Sequence, residues 1–206
     1  DNQCYVKVTK NIITDTYKVY WDLLKDWFDQ CLIEQDDFNF LMCRYPRIPV
    51  LYLIPKMHKN PAVPPGRPIV SAIGSLMENT SKYIDYFLIP FVFGLQSYIR
   101  DTNDFLRVIK DIIWEPEFLL LTLDVSSLYT CIEHNLGIQS CRHFLRMRPM
   151  SNLLHTEMLL DMLKFCLFNN FFLFDDCYYR QTQGAAMGSC FSPSYANLFM
   201  GWWEEQ

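Results

Sequence analysis

Asp124 closes the apolar run Phe118-Leu-Leu-Leu-Thr-Leu-Asp124-Val. A carboxylate there is unlikely to be buried alone, because an unpaired buried charge is very costly. A strand-end Asp can instead hold Mg2+ through oxygen, with waters and substrate phosphates completing the octahedron. The competing reading is a cap or turn residue before Ser126-Ser127. Tyr129 follows at a spacing that suits an aromatic ring packed under a nucleotide sugar, where it would crowd out a 2′-hydroxyl; it can equally be a core residue. Gln183-Gly184 joins an amide that donates and accepts to a backbone able to approach a ligand, and Gly188 permits a second close approach. An ordinary turn before a helix explains the same residues. With no Gly-Lys-Ser/Thr, a P-loop is excluded.

Arg67 follows Pro64-Pro65-Gly66, a rigid setting for a guanidinium that grips a triphosphate bidentately. Lys56 and Lys59 can add charge toward phosphates or a template backbone; a solvated basic loop is the alternative. Asp175-Asp176 is the only Asp-Asp after Asp124, and a two-metal centre needs neighbouring carboxylates. Flanked by Phe171-Phe-Leu-Phe174 and Cys177-Tyr-Tyr-Arg180, however, it is a hairpin turn by its local chemistry.

These residues need elements to position them. Tyr17, Tyr20, Leu24, Trp27 and Cys31 recur at helical spacing after Thr14, and Asp36-Asp37 caps a short helix through Met42. Val50 to Pro55 and Arg67 to Ser71 read as strands around a Pro-rich basic connection. Helical spacing runs from Glu78 to Tyr98 with a kink at Pro90, and another helix from Asn103 or Asp104 to Ile113. Residues 118–125 read as a strand buried on both faces. Helices at 134–147, 155–168 and from Ser192 or Pro193 to the end complete an α+β order.

Half of the 206 residues are apolar and 16% aromatic, which supports a real core and excludes a disordered chain. The apolar stretch around 87–95 contains Pro90 and is too short to span a bilayer. The eight cysteines lack any Cys-x-x-Cys spacing and read as buried thiols in a reducing, intracellular setting. Net charge is −5, which opposes polyanion binding, but Lys56, His58, Lys59 and Arg67 form a stretch free of acids.

Three stretches occur in the order of reverse transcriptase motifs: Gly66-Arg-Pro-Ile-Val-Ser71, Leu123-Asp124-Val-Ser-Ser-Leu-Tyr129-Thr, and Gln183-Gly184-x-x-Met-Gly188. Together with Leu53-Ile-Pro-Lys-Met-His-Lys59, Asn169-Asn-Phe-Phe and Ser194-Tyr-Ala-Asn-Leu-Phe-Met200, the chain resembles the Penelope-like retroelement family over about 46–203. That resemblance implies an incomplete right-hand polymerase of reverse-transcriptase type. It divides into an N-terminal helical region at 1–45, a fingers-like region at 46–115 and a palm region at 116–206. It also implies RNA-directed DNA polymerisation on an RNA template and DNA primer in the nucleus, with no membrane association. Asp124 would ligate metal in a two-Mg2+ centre. Arg67, Tyr129, Gln183 and Gly184 would contact the dNTP, and Lys56 and Lys59 nucleic acid or phosphate. The family's Tyr-x-Asp-Asp type pair, which follows the Gln-Gly helix, is absent from this sequence, as are a thumb and a GIY-YIG endonuclease. The expectation is therefore a fragment that does not polymerise as it stands. The alternative is a dead element remnant that at most binds RNA.

Overall fold

The computed structural model describes residues 4–148 and 153–206, and they form a mixed α+β fold. The chain starts with strand β1, Tyr5–Val8, and turns into helix α1, Lys10–Asp29. α1 begins a turn ahead of Thr14 because Ile13 continues its buried stripe through Thr16, Tyr20, Leu24 and Trp27. It ends before Cys31, which takes a positive φ of 55°. Helix α2, Gln35–Leu41, is capped by Glu34 rather than by Asp36 or Asp37: the Glu34 side chain takes the backbone N–H of Asp37, and the Asp37 carboxylate takes that of Glu34.

Strand β2, Val50–Pro55, pairs antiparallel with β3, Gly66–Ser71, in a register that sets Ile54 opposite Arg67. Helix α3, Glu78–Phe93, contains Pro90 and stops short of Tyr98. Helix α4, Thr102–Lys110, begins where the Asp101 side chain accepts the Asp104 N–H at 2.9 Å. A single-turn helix α5, Leu128–Cys131, leads to α6, His134–Leu145. Helix α7, Leu153–Phe168, precedes the hairpin of β4, Phe171–Phe174, and β5, Cys177–Gln181. Asp175 and Asp176 turn that hairpin with φ of 47° and 54°, the two left-handed residues a tight hairpin requires. Helix α8, Ser192–Glu204, follows.

One sheet has the order β1-β5-β4-β2-β3. Its strands come from all three stretches of the chain: β1 pairs with β5, and β2 meets β4 in parallel at Val50 and Leu173. The helices α3, α6, α7 and α8 enclose the main core, where Leu88, Leu160, Leu163 and Tyr195 are almost wholly buried. Burying each such Leu contributes about 1.5–3 kcal/mol. Two thiols, Cys141 and Cys166, join that core, whereas Cys31, Cys131 and Cys190 are exposed, so burial does not describe all eight.

The expected buried strand at 118–125 does not form. Among the described residues no strand pairs with it, and Leu119, Leu121 and Leu123 are 93%, 76% and 87% exposed. A continuous apolar run reports the affinity of side chains for a core, while a strand also needs neighbours to take its N–H and C=O groups. Here α4 just ahead of it buries no residue, and neither open edge of the sheet, β1 or β3, pairs with the run.

Hydrogen exchange reads this contrast directly. The amides of Leu119, Leu120, Leu121 and Leu123 are expected to exchange orders of magnitude faster than those of Leu160 and Leu163 in α7. Comparable protection in both would show that residues 118–125 are paired after all.

Candidate functional site

The β2–β3 hairpin, the segment before α5 and the start of α8 surround an open cleft of about 1430 Å3. Lys56, His58 and Lys59, from the connection after β2, line one side of it together with Arg67 on β3. Among the described residues none of these four side chains forms an ion pair or a side-chain hydrogen bond, so the charges of Lys56, Lys59 and Arg67 face the cleft unspent. The connection holds its shape through backbone: Lys56 N–H donates to the Pro65 carbonyl at 2.9 Å, and Lys59 N–H to the Lys56 carbonyl at 3.0 Å.

Asp124 lines the same cleft, as do Ser126, Ser127 and Tyr129. Asp124 is exposed and lies in irregular chain, not at the end of a buried strand. Ser127 takes a left-handed φ of 55° and starts α5, which carries Tyr129 half-buried against the main core. The two readings of Tyr129 therefore coexist, since the ring packs inward and still borders the cleft.

The segment 182–190 closes the arrangement from below. Gly184 N–H donates to the Ile132 carbonyl at 3.0 Å and Ala185 N–H to the Tyr129 carbonyl at 2.7 Å, tying this segment to α5. Val70 N–H donates to the Met187 carbonyl at 2.8 Å, tying it to β3. A β-carbon at Gly184 would overlap the Tyr129 carbonyl oxygen, and one at Gly188 that of Val70; both glycines have positive φ, 71° and 136°.

Serines explain how α8 is then aimed. Ser192 Oγ donates to the Ala186 carbonyl at 2.8 Å, and Ser194 Oγ to Asp85 Oδ1 at 2.5 Å, while Phe191 N–H reaches Ser81 Oγ at 3.2 Å. Burial raises the Asp85 carboxyl above its ordinary range, against the Ser194 hydrogen bond that lowers it. These contacts set the first turn of α8, with Ser192 and Pro193, on the cleft. The positive end of a helix dipole adds to the basic wall opposite. In the sequence Ser192-Pro193 opens an apolar helix that resembles the nucleotide-facing helix of a reverse transcriptase palm, and the structure sets both residues on the cleft. Sequence reasoning missed β1 altogether, whose Tyr5 also lines the cleft.

Gln183 does not join this group. Its Nε2 donates to the Cys131 carbonyl at 2.9 Å, closing the end of α5. The side chain lines a separate cavity of about 660 Å3 with Asn135, Phe168 and Phe199. Beside it, His134 Nε2 donates to the Gly184 carbonyl at 2.8 Å, and burial pushes this imidazole below its ordinary pKa although that hydrogen bond works in the other direction. Gly184 itself is buried beneath α5.

The cleft thus gathers Lys56, Lys59, Arg67, Asp124 and Tyr129, and leaves Gln183 and Gly184 to hold α5 in place. Its basic wall and helix terminus suit phosphates. For metal the donor set is thin. Asp124 is the only carboxylate among the described residues lining the cleft, and no group of three or more His, Cys, Asp or Glu that could hold an ion is found among the described residues. One exposed carboxylate does not fit a two-Mg2+ centre.

Comparison of the sequence with models of known protein families and with curated proteins finds no match in either. No helix among the described residues is long and apolar enough to cross a membrane.

If the Gly188 contact ties the cleft floor to β3, Gly188→Ala should lower unfolding stability by about 2–4 kcal/mol through backbone strain and overlap. The shift in urea midpoint measures it, and a change below about 0.5 kcal/mol, the usual scale for surface substitutions, would show a loosely held segment.

Proposed function

We propose that this chain is the fingers-and-palm portion of an RNA-directed DNA polymerase of the Penelope-like retroelement type. One observation carries the reading. Three motifs far apart in sequence, at Lys56–Lys59 with Arg67, at Asp124 with Tyr129, and at Gly188, contribute to a single cleft. Accidental motif matches would have no reason to converge on one cavity.

In this reading the basic wall and the first turn of α8 take the phosphates of a dNTP and of a template–primer duplex. Arg67 offers two parallel donors to a triphosphate, and Lys56 and Lys59 act as point charges along a backbone. Tyr129, held by its own carbonyl on Ala185, would sit beneath the sugar and disfavour a 2′-hydroxyl. Asp124 would supply one oxygen ligand, and the second part of a metal centre would have to come from carboxylates that this sequence does not provide. RNA template, DNA primer and dNTP are the proposed partners, and the nucleus the proposed place of action.

A second reading has its own support. A single carboxylate in the cleft and an amide of Gln183 spent on α5 also suit a remnant that binds RNA without catalysis.

Two measurements separate these. An RNA–DNA duplex is expected to bind with an affinity that falls steeply with salt, and removing Lys56, Lys59 and Arg67 together as alanines should reduce the logarithmic salt slope by about 2–3. Binding that ignores salt or these substitutions would remove the cleft from both readings.

Primer extension then tests catalysis. The 206-residue chain is expected to incorporate no nucleotide. In a longer form that carries an aromatic-x-Asp-Asp pair and does extend primers, Asp124→Ala should abolish incorporation with little change in stability, since the side chain is exposed and makes no hydrogen bond among the described residues. Near-normal extension by that variant would overturn the role of Asp124, and a longer form that binds duplex yet never extends would favour the remnant.

A further inference from the structure

A third open cavity, of about 600 Å3, lies between the turn after α1, helix α2, helix α3 and the first turns of α7. Its walls are aromatic. Tyr86 is 72% and Phe40 44% exposed, and Tyr86 meets Phe87 edge-on with ring centroids 5.2 Å apart. Large rings left this open on neighbouring helices offer their faces to a ligand.

Two carboxylates, of Glu34 and Asp37, also line it, beside the apolar turn Leu32-Ile33. Glu34 and Asp37 are fixed by their reciprocal cap on α2, and the Tyr83 hydroxyl bonds Asp37. A carboxylate has roughly four acceptor positions, so each keeps capacity toward the cavity. Two cations also stand by this cavity, and each is already engaged within the chain. The ammonium of Lys82, at the rim, is held 2.7 Å from Glu78. The His155 imidazole is kept below its ordinary pKa by burial and by Arg148, with Asp37 opposing.

The chain itself shows what such rings accept. Arg148 places its guanidinium carbon 5.0 Å from the centroid of Phe87, with Nη1 3.3 Å from His155 Nδ1. A guanidinium gains both from an aromatic face and from bidentate contact with carboxylate, whereas a neutral side chain of the same shape gains from neither.

We propose that this cavity receives an arginine side chain from a segment of a partner protein, stacked on Tyr86 and Phe40 and bonded to Glu34 and Asp37. The assignment is independent of the polymerase reading and of the phosphate-binding cleft.

The probe is a capped Gly-Arg-Gly peptide, with its citrulline counterpart as the neutral isostere, titrated into the 206-residue chain and followed by NMR. The arginine peptide should bind saturably with a Kd on the order of 1 mM, as befits one anchoring side chain, and shift the resonances of Phe40, Tyr83 and Tyr86. Citrulline should bind at least about tenfold more weakly, and Tyr86→Ala about three- to tenfold more weakly than the unaltered chain. Both Tyr86 and Glu34 are exposed, so Tyr86→Ala and Glu34→Gln each provide a folded control for the other, and Glu34→Gln should weaken binding as well. Equal affinity for the two peptides, indifference to both substitutions, absence of binding, or shifts centred on Arg67 and Asp124 would each overturn the proposal.

Discussion

Two carbonyl oxygens, of Tyr129 and Val70, approach Gly184 and Gly188 so closely that no β-carbon fits between them. This near-contact lets one short segment, 182–190, bond to α5 on one side and to β3 on the other. From there the chain turns directly into α8, whose first residues are pinned by Ser81, Ala186 and Asp85. Release either glycine contact and three things separate: the sheet edge carrying Arg67, the turn carrying Tyr129, and the helix terminus between them. The cleft is therefore largely a consequence of backbone packing, and the side chains of Lys56, Lys59, Arg67 and Asp124 are left free because they do none of the holding.

That division of labour also reconciles the charge of the chain with the polyanionic partner proposed for it. A net charge of −5 describes the whole surface, whereas the cleft sees four basic side chains, a helix N-terminus and one carboxylate. Acidic residues concentrate elsewhere, notably around the aromatic cavity beside α2, where Glu34 and Asp37 favour a cation. If both proposals hold, two faces of one small fold select opposite charges, which would limit interference between a phosphate ligand and a basic peptide.

Local chemistry made much of this legible. Asp175-Asp176 between aromatic runs can only turn a hairpin, and both residues adopt the left-handed φ that such a turn demands. The helical stripes and the β2–β3 pair were legible in the sequence, with ends displaced by up to about a turn and a half, as at the end of α3, and with caps such as Glu34 setting others. What escaped were properties of neighbours. β1 is a run of four residues without clear alternation that becomes a strand because β5 lies beside it. Residues 118–125 form a nearly continuous apolar run, yet among the described residues neither sheet edge pairs with it. Gln183 has the right chemistry for a ligand, but the Cys131 carbonyl needed a donor and took it.

The most direct test of the cleft is to map, by heteronuclear NMR, which residues respond to a short RNA–DNA duplex. The account predicts that shifts concentrate on Lys56, Lys59, Arg67, Asp124 and Tyr129, with those around Tyr86 and Phe40 unmoved. Responses confined to the aromatic cavity, or spread evenly over the surface, would contradict it.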